Sequence, residues 1–185
     1  MTTGVLGLQG AIQEHGRHLA ALGAPWRWVR EPGDLAGIER LIIPGGESTV
    51  MAKFLERFAM TAPLRERLAA GMPAWGICAG AILLAQRVDG CPGVLQAMPM
   101  TVVRNAYGRQ DASDEYPIDI PALNRPGFPA MFIRAPRVTA VDNGVDILAR
   151  RGDDPVFLVA GALMATTFHP ELSDDSVFHE YFLRI

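Results

Sequence analysis

Short apolar runs alternate with helical patterns through the first half of this 185-residue chain. Strands that alternate with helices over short links typically form a parallel sheet covered on both faces. The predicted strands are residues 5–8, 26–29, 41–43 and 74–77, and the predicted helices are residues 11–22, 49–58, 63–70 and 79–85. This order predicts an α/β fold with a mostly parallel central sheet.

The second half is richer in strand-like runs, with Gly, Pro, Asp and Asn between them. These runs are residues 100–104, 131–134, 137–141, 145–149, 156–159 and 163–168. They predict a mixed sheet with an antiparallel extension. Residues 108–129, rich in proline and acidic side chains, are predicted to be irregular, and residues 176–183 form an amphipathic helix. We expect one domain over residues 1–185.

Composition excludes several classes of protein. Hydrophobic residues make up 49% and charged residues 20%, the balance of a globular chain rather than a disordered one. The net charge of -3, with scattered arginines, gives no reason to expect a nucleic acid or an anionic membrane as partner. With no apolar run of ~20 residues and no signal-peptide pattern, a cytoplasmic protein with free Cys78 and Cys91 is expected.

The segment Gly76-Ile77-Cys78-Ala79-Gly80 has the form of a nucleophile elbow between a strand and a helix. The helix N-terminus favours a thiolate, and the Ala79 amide can donate to an oxyanion. On the pattern alone, Cys78 is equally well explained as a small buried hydrophobic residue. Cys91 lies in a predicted turn with no base nearby, which favours a structural role.

The sequence His169-Pro170-Glu171 follows a predicted strand. Proline biases His169 toward an extended conformation, which would place the His169 and Glu171 side chains on one face. A carboxylate there can orient an imidazole toward a thiol, so Cys78, His169 and Glu171 are a candidate triad. A histidine and a glutamate with unrelated roles are the alternative.

Three other histidines are predicted to be solvent-exposed. His15 and His18 lie one turn apart on the first helix and His179 lies on the last. The first two could share a metal ion, but no further ligands lie near them in the sequence. No metal site is expected.

The loop Pro44-Gly45-Gly46-Glu47-Ser48-Thr49 joins a strand to a helix. Its amides can face a ligand, so Gly46 is a candidate second oxyanion donor, with Ser48 as the predicted N-cap. It lacks the pattern of a phosphate-binding loop. Arg104 and Arg134 each end a predicted strand, where an arginine either clamps a carboxylate or makes an ordinary salt bridge.

Six stretches in this order resemble the class I, triad-type glutamine amidotransferases. They are Gly4-Val-Leu-Gly-Leu-Gln-Gly, Pro44-Gly-Gly-Glu-Ser-Thr, Gly76-Ile-Cys-Ala-Gly, Val103-Arg-Asn-Ala-Tyr-Gly-Arg-Gln, Phe132-Ile-Arg-Ala-Pro and Thr166-Thr-Phe-His-Pro-Glu-Leu. More narrowly, the chain is similar to glutaminase subunits of two-protein pyridoxal 5′-phosphate synthases. The resemblance covers essentially the whole chain. Residues 111–116 differ from the sequence that is usual in the family, so the resemblance does not assign the surface that binds the partner.

The resemblance implies a three-layer α/β fold and hydrolysis of L-glutamine, with the ammonia passed to a separate synthase subunit. No cofactor and no metal are implied. It assigns Cys78 as nucleophile, His169 as acid–base and Glu171 as orienting group. The residues implied in glutamine binding are Gly46, Glu47, Ser48, Arg104, Ile133 and Arg134.

Two other functions remain open on the sequence. A cysteine peptidase or hydratase could use the same elbow, although an arginine-lined pocket for a free amino acid argues against it. A regulatory subunit with an idle thiol is the second, and the intact candidate triad argues against that one.

Overall fold

The computed structural model describes residues 1–106 and 113–185, and strands dominate it. The strands are β1 Thr3–Leu6, β2 Trp26–Val29, β3 Arg40–Ile43, β4 Ala74–Ile77, β5 Ala85–Val88, β6 Cys91–Pro92, β7 Met98–Val103, β8 Ser113–Ile120, β9 Arg125–Ile133, β10 Arg137–Val141, β11 Asp146–Arg151, β12 Asp154–Ala160 and β13 Leu163–Thr166. The helices are α1 Ile12–Ala21, α2 Ser48–Arg57, α3 Thr61–Ala69, α4 Ala79–Leu84 and α5 Val177–Phe182.

A seven-stranded sheet forms the centre, in the order β11-β12-β13-β4-β3-β1-β2. The five strands β13, β4, β3, β1 and β2 run parallel to one another. β12 pairs antiparallel with both β11 and β13. The prediction of a mostly parallel sheet with an antiparallel extension is therefore confirmed.

Both faces of this sheet are buried, as the apolar strands require. Along β3, Leu41 and Ile43 belong to one apolar cluster and Ile42 belongs to the other, because successive side chains point to opposite faces. The first cluster includes side chains of α2, α3 and α4, and the second includes side chains of α1 and α5. The result is the predicted three-layer α/β arrangement.

Two smaller sheets complete the described fold: β10-β7-β5-β6 and the hairpin β8-β9. The predicted strands 100–104 and 137–141 therefore exist, as β7 and β10, but they lie outside the central sheet. The prediction of an irregular segment at 108–129 is wrong for residues 113–129, which form β8, a short 3-10 turn and much of β9. Residues 107–112 lie outside the described part.

Of the other predicted elements, β2, β4 and β10 have the predicted ends, and the rest are found with shifted ends. The helix predicted for 79–85 ends at Leu84, and Ala85 begins β5. No helix within residues 1–106 and 113–185 is long and apolar enough to cross a membrane.

Candidate active site

Four segments meet at one edge of the central sheet because β1, β3, β4 and β13 are parallel. Their carboxyl ends lead to Gln9, to the loop 44–47, to Cys78 and to His169, respectively. The carboxyl edge of a parallel sheet is where open α/β proteins bind ligands. Residues far apart in sequence are thus placed around one cavity.

Cys78 lies on a sharp turn between β4 and α4, with φ 49° and ψ −101°. Two glycines permit this turn. A Cβ on Gly76 would lie 2.6 Å from the Gly80 carbonyl group, and a Cβ on Gly80 would lie 2.0 Å from the Ile43 carbonyl oxygen. The Cys78 amide donates to the Thr166 carbonyl at 2.8 Å, which holds the turn against β13. The predicted elbow is present.

His169 and Glu171 form a buried pair next to this turn. His169 Nδ1 lies 2.7 Å from Glu171 Oε1, and the Glu171 side chain has no exposed surface. The predicted reason for the pairing is wrong, because Glu171 lies in the 3-10 turn Pro170–Leu172 and not in extended chain. That turn brings the carboxylate back to the ring of His169.

The electrostatics of the pair favour an ion pair. Burial alone would lower the pKa of His169, but its interactions with the Cys78 and Glu171 side chains raise that pKa to about 10. Burial alone would raise the pKa of Glu171, but its hydrogen bond to His169 lowers that pKa below the ordinary value. At neutral pH, therefore, His169 is a cation and Glu171 an anion.

The thiol of Cys78 lies within this arrangement and is 5% exposed. Its Sγ is 3.8 Å from the Ile133 carbonyl oxygen, and its side chain interacts with the His169 ring. Thiol, imidazole and carboxylate are thus brought together in the order that the sequence predicts.

The glycine-rich loop after β3 packs directly on this group. A Cβ on Gly45 would lie 2.4 Å from His169 Cε1, so only glycine lets the loop pass the ring. Gly46 lies close to the Gln9 side chain, whose Oε1 accepts from the Glu47 amide at 2.8 Å. Loop, imidazole and Gln9 therefore form one packed unit.

Glu47, not Ser48, is the N-cap of α2, which corrects the prediction. Its carboxylate accepts from the amides of Thr49 at 3.1 Å and Val50 at 3.0 Å. These bonds, that of Thr49 first, lower the pKa of Glu47. Ser48 is the first residue of α2 and is buried.

A cavity of about 360 Å³ opens at this edge of the sheet. It is lined by Gln9, Gly46, Glu47, Ser48, Thr49, Cys78, Ala79, Ile82, Arg104, Asn105, Ile133, Arg134 and His169. Every residue predicted to bind substrate lies in this wall, together with the nucleophile and the base. Glu171 is not in the wall, as expected for a group that acts through His169.

The two arginines of the wall differ in their surroundings. Arg104 donates from its amide and from Nε to the Asp89 carboxylate, at 2.9 and 2.6 Å, and from a terminal nitrogen to Thr49 Oγ1 at 3.2 Å. It therefore makes the salt bridge that was the alternative to a carboxylate clamp, while still facing the cavity. Arg134 has φ 45°, an unusual conformation that turns the chain beside Ile133.

Gln9 is the main wall residue that the sequence interpretation missed. The sequence feature that could have indicated Gln9 is its position just after β1, because this places it at the same edge of the sheet as the other loops of the site. Predicting its contact with Glu47 requires knowing that β1 lies beside β3, and that order is set only in the folded sheet.

The prediction that His15, His18 and His179 are solvent-exposed is wrong. Their exposures are 0%, 8% and 0%, respectively. Helix α5, which carries His179, packs against α1, so that the His179 ring contacts the rings of His15 and His18. Cys91 is exposed and unpaired, in β6 rather than in a turn.

Fold and geometry together match the class I glutamine amidotransferases. A crystal structure described as a glutamine amidotransferase superposes with a TM-score of 0.91 at 40% identity, covering 98% of this chain and 97% of that one. The structure of PurLQS from Thermotoga maritima superposes with a TM-score of 0.72 at 14% identity, over 99% of this chain and 97% of that one, and supports the fold alone.

The chain belongs to the SNO glutamine amidotransferase family, whose model matches residues 5–185. Among similar proteins is the pyridoxal 5′-phosphate synthase subunit PdxT of Herpetosiphon aurantiacus, 49% identical over 99% of both chains. The protein of the same name from Deinococcus radiodurans is 48% identical, over 99% of this chain and 96% of that one.

Proposed function

We propose that this chain is the glutaminase subunit of a pyridoxal 5′-phosphate synthase. It hydrolyses L-glutamine to L-glutamate and ammonia through a thioester on Cys78, and the ammonia passes to a separate synthase subunit that makes pyridoxal 5′-phosphate. The observation that carries the proposal is the elbow thiol beside a buried imidazole–carboxylate pair in the wall of one cavity. The relatives named PdxT supply the identity of the product.

In the first half of the reaction, the Cys78 thiolate attacks the side-chain amide carbon of glutamine. Charge develops on the amide oxygen, and the amides of Ala79 and Gly46 donate to it, each removing on the order of 3 kcal/mol of the barrier. His169 carries a proton at the start and gives it to the amide nitrogen. The carbon–nitrogen bond breaks, ammonia leaves and a thioester remains.

In the second half, His169 is neutral and takes a proton from water. The hydroxide adds to the thioester, the carbon–sulfur bond breaks, and glutamate leaves with the thiolate restored. Glu171 stays ionised throughout and holds the ring of His169. Gly46, Glu47, Ser48, Arg104, Ile133 and Arg134 position glutamine in the cavity.

The proposed partner follows from the product. Ammonia released into water would be lost, so an acceptor subunit must dock near the cavity, and we expect turnover to rise when it does. The proposed compartment is the cytoplasm, where reducing conditions keep a catalytic thiol free. As proposed, the reaction uses no metal ion and no cofactor.

Substitution of Cys78 by alanine tests the proposal. We expect Cys78→Ala to lose glutamine hydrolysis, because no other side chain of the wall can form the thioester. Glutamate and ammonia are measured with and without a synthase partner. Hydrolysis at the wild-type rate in this variant would end the proposal.

Cys91→Ser is the matched control, since Cys91 is exposed and does not line the cavity. It should keep wild-type turnover. The same assay separates the alternatives: a peptidase or hydratase would not release ammonia from glutamine, and a regulatory subunit would release none with its partner bound.

A further inference from the structure

Three buried histidines lie together on the side of the central sheet where α1 and α5 pack. The His18 and His179 rings stack with centroids 4.3 Å apart, and the Trp75 ring lies edge-on to His15 and His179 at 5.5 and 4.9 Å. The reaction steps above use none of them. Burying polar rings is costly unless they are hydrogen-bonded.

The proton of His18 can be placed from its partners. Its Nε2 lies 3.2 Å from the backbone carbonyl oxygen of Glu171, and its Nδ1 lies 2.8 Å from Ser176 Oγ. A carbonyl oxygen only accepts, so Nε2 carries a proton. In the neutral ring, Nδ1 then accepts from the Ser176 hydroxyl. His18 thereby ties the turn that carries Glu171 to the start of α5.

His15 and His179 share one hydrogen bond, with His15 Nδ1 2.9 Å from His179 Nε2. Three buried atoms nearby have no protein hydrogen-bond partner: His15 Nε2, His179 Nδ1 and Glu171 Oε2. If His179 donates to His15, then the neutral His15 ring carries its own proton on Nε2. The His15 ring and the Glu171 carboxylate lie close enough to interact electrostatically. A ring protonated on Nε2 can turn an N–H dipole toward that carboxylate, whereas the reverse arrangement has only a lone pair at Nε2.

We propose that His15 is a positioning residue for Glu171, held by His179 in the tautomer protonated on Nε2, while His18 fixes the backbone of the same turn. The inference rests on the proposed function, in which Glu171 orients His169. His15 acts only through that carboxylate and does not touch the substrate cavity.

The electrostatic surroundings agree with a neutral ring. Burial, with smaller effects of His18 and His169, outweighs the carboxylates of Glu171 and Glu14 and lowers the pKa of His15 to about 4. Burial also lowers the pKa of His179. A neutral His15 stabilises the Glu171 carboxylate as a dipole and adds no positive charge to compete with His169.

Two isosteric variants separate positioning from packing. The amide of asparagine reaches the Nδ1 position of a histidine ring, and that of glutamine reaches the Nε2 position. We expect H15Q to retain most of the turnover, because it keeps a donor on the side of Glu171. H15N should lower kcat about ten-fold at unchanged KM, in the range found when outer hydrogen-bond partners of functional histidines are removed.

The kinetics are read on the complex with the synthase, beside urea unfolding of each variant. Equal kcat in H15N and wild type, or equal losses in H15N and H15Q that follow their stabilities, would overturn the inference. A wild-type-like H15N beside an inactive Cys78→Ala would end this inference alone. An active Cys78→Ala would end the proposed function.

The wild-type protein gives a second test that needs no variant to fold. The chain has four histidines, so the tautomer of each ring can be read by NMR with ¹⁵N-labelled histidine. At neutral pH we expect His15 to be neutral and protonated on Nε2, and His18 to carry a proton on Nε2, the atom that faces the Glu171 carbonyl oxygen. A His15 ring protonated on Nδ1 would contradict the proposal.

Discussion

Cys78 has a positive φ, which costs a residue with a side chain of this kind ~1–3 kcal/mol. Contacts with the surrounding sheet offset this cost. They are the hydrogen bond from the Cys78 amide to the Thr166 carbonyl and the close packing of Gly80 against β3. This conformation places the sulfur at the carboxyl edge of the sheet, next to the Ala79 amide that is proposed to donate to the oxyanion. Strain at this residue is thus part of how the proposed site is arranged.

The charge on Glu171 sets the pH range of the proposed reaction. His169 must be protonated to release ammonia, and its pKa is raised to about 10 by Cys78 and Glu171 against the effect of burial. On the alkaline side of the pH profile, turnover should therefore fall as pH rises through about 10. Glu171→Gln removes one of the raising charges, so the alkaline limb should move down by ~1–3 pH units. The measurement is kcat/KM against pH.

Glu180→Gln is the control for this change, because Glu180 pairs with Arg184 on the exposed side of α5. Its pH profile should match that of wild type. An unchanged alkaline limb in Glu171→Gln would contradict the role given to the carboxylate.

Residue patterns predicted the triad more easily than the histidines behind it. His169 and Glu171 are two residues apart in sequence, and a local turn brings them together. The burial of His15 and His18 depends instead on α5, which begins more than 150 residues later. A helix pattern cannot show which of its polar residues a distant helix will cover.

At the scale of elements, the contact between α4 and β3 determines whether the elbow can form. An alanine at position 80 would place a Cβ 2.0 Å from the Ile43 carbonyl oxygen, and backbone cannot yield as a flexible side chain does. We expect Gly80→Ala to lower the free energy of unfolding by ~1–3 kcal/mol, as overpacked sites do, and to lower glutamine turnover. Urea unfolding and the glutaminase assay measure the two effects.

Gly33→Ala is the matched control, since nothing lies within 4 Å of a Cβ at that position and its φ is ordinary. Its unfolding free energy should stay within ~0.5 kcal/mol of wild type. Equal stabilities for the two variants would show that the α4–β3 contact is not as close as described.

Elements with a clear apolar pattern were predicted closely, and those without one were missed. β4 and β10 have the predicted ends. β8 was missed because its first five residues are exposed and include two acidic side chains and Pro117. β5 was missed because Ala85, which continues the apolar pattern of α4, is in fact the first residue of a strand.

The described residues form two apolar clusters, one on each face of the central sheet, and Phe178 lies at the centre of the second. Its ring contacts Phe128, Phe157 and Phe168 at centroid distances of 5.1, 5.2 and 5.4 Å. Phe178→Ala should lower the free energy of unfolding by ~3–5 kcal/mol, because it leaves a cavity where α5, β9 and β12 meet. Chemical denaturation measures this.

Phe58 serves as the control, because its side chain is 46% exposed at the end of α2. Phe58→Ala should change stability far less. A small effect at Phe178, comparable with that at Phe58, would mean that the second cluster can collapse around the missing ring.

The layer order of the molecule was predictable from strand and helix alternation, and the resemblance gave the same answer. The division of strands among three sheets was not. β7 and β10 resemble central strands in sequence, and only their pairing with each other and with β5 places them elsewhere. The local sequence pattern of a strand does not show which distant strand it pairs with.

The bond from Cys78 to Thr166 has a consequence for synthesis on the ribosome. β4 takes its place between β3 and β13, and β13 is the last strand to emerge. Until then the nascent chain has its thiol but neither the strand that holds the turn nor the imidazole that pairs with the sulfur. Cys78 therefore becomes reactive only after residues 163–171 have left the ribosome and packed beside β4, and a chain that stops before them carries an unactivated thiol.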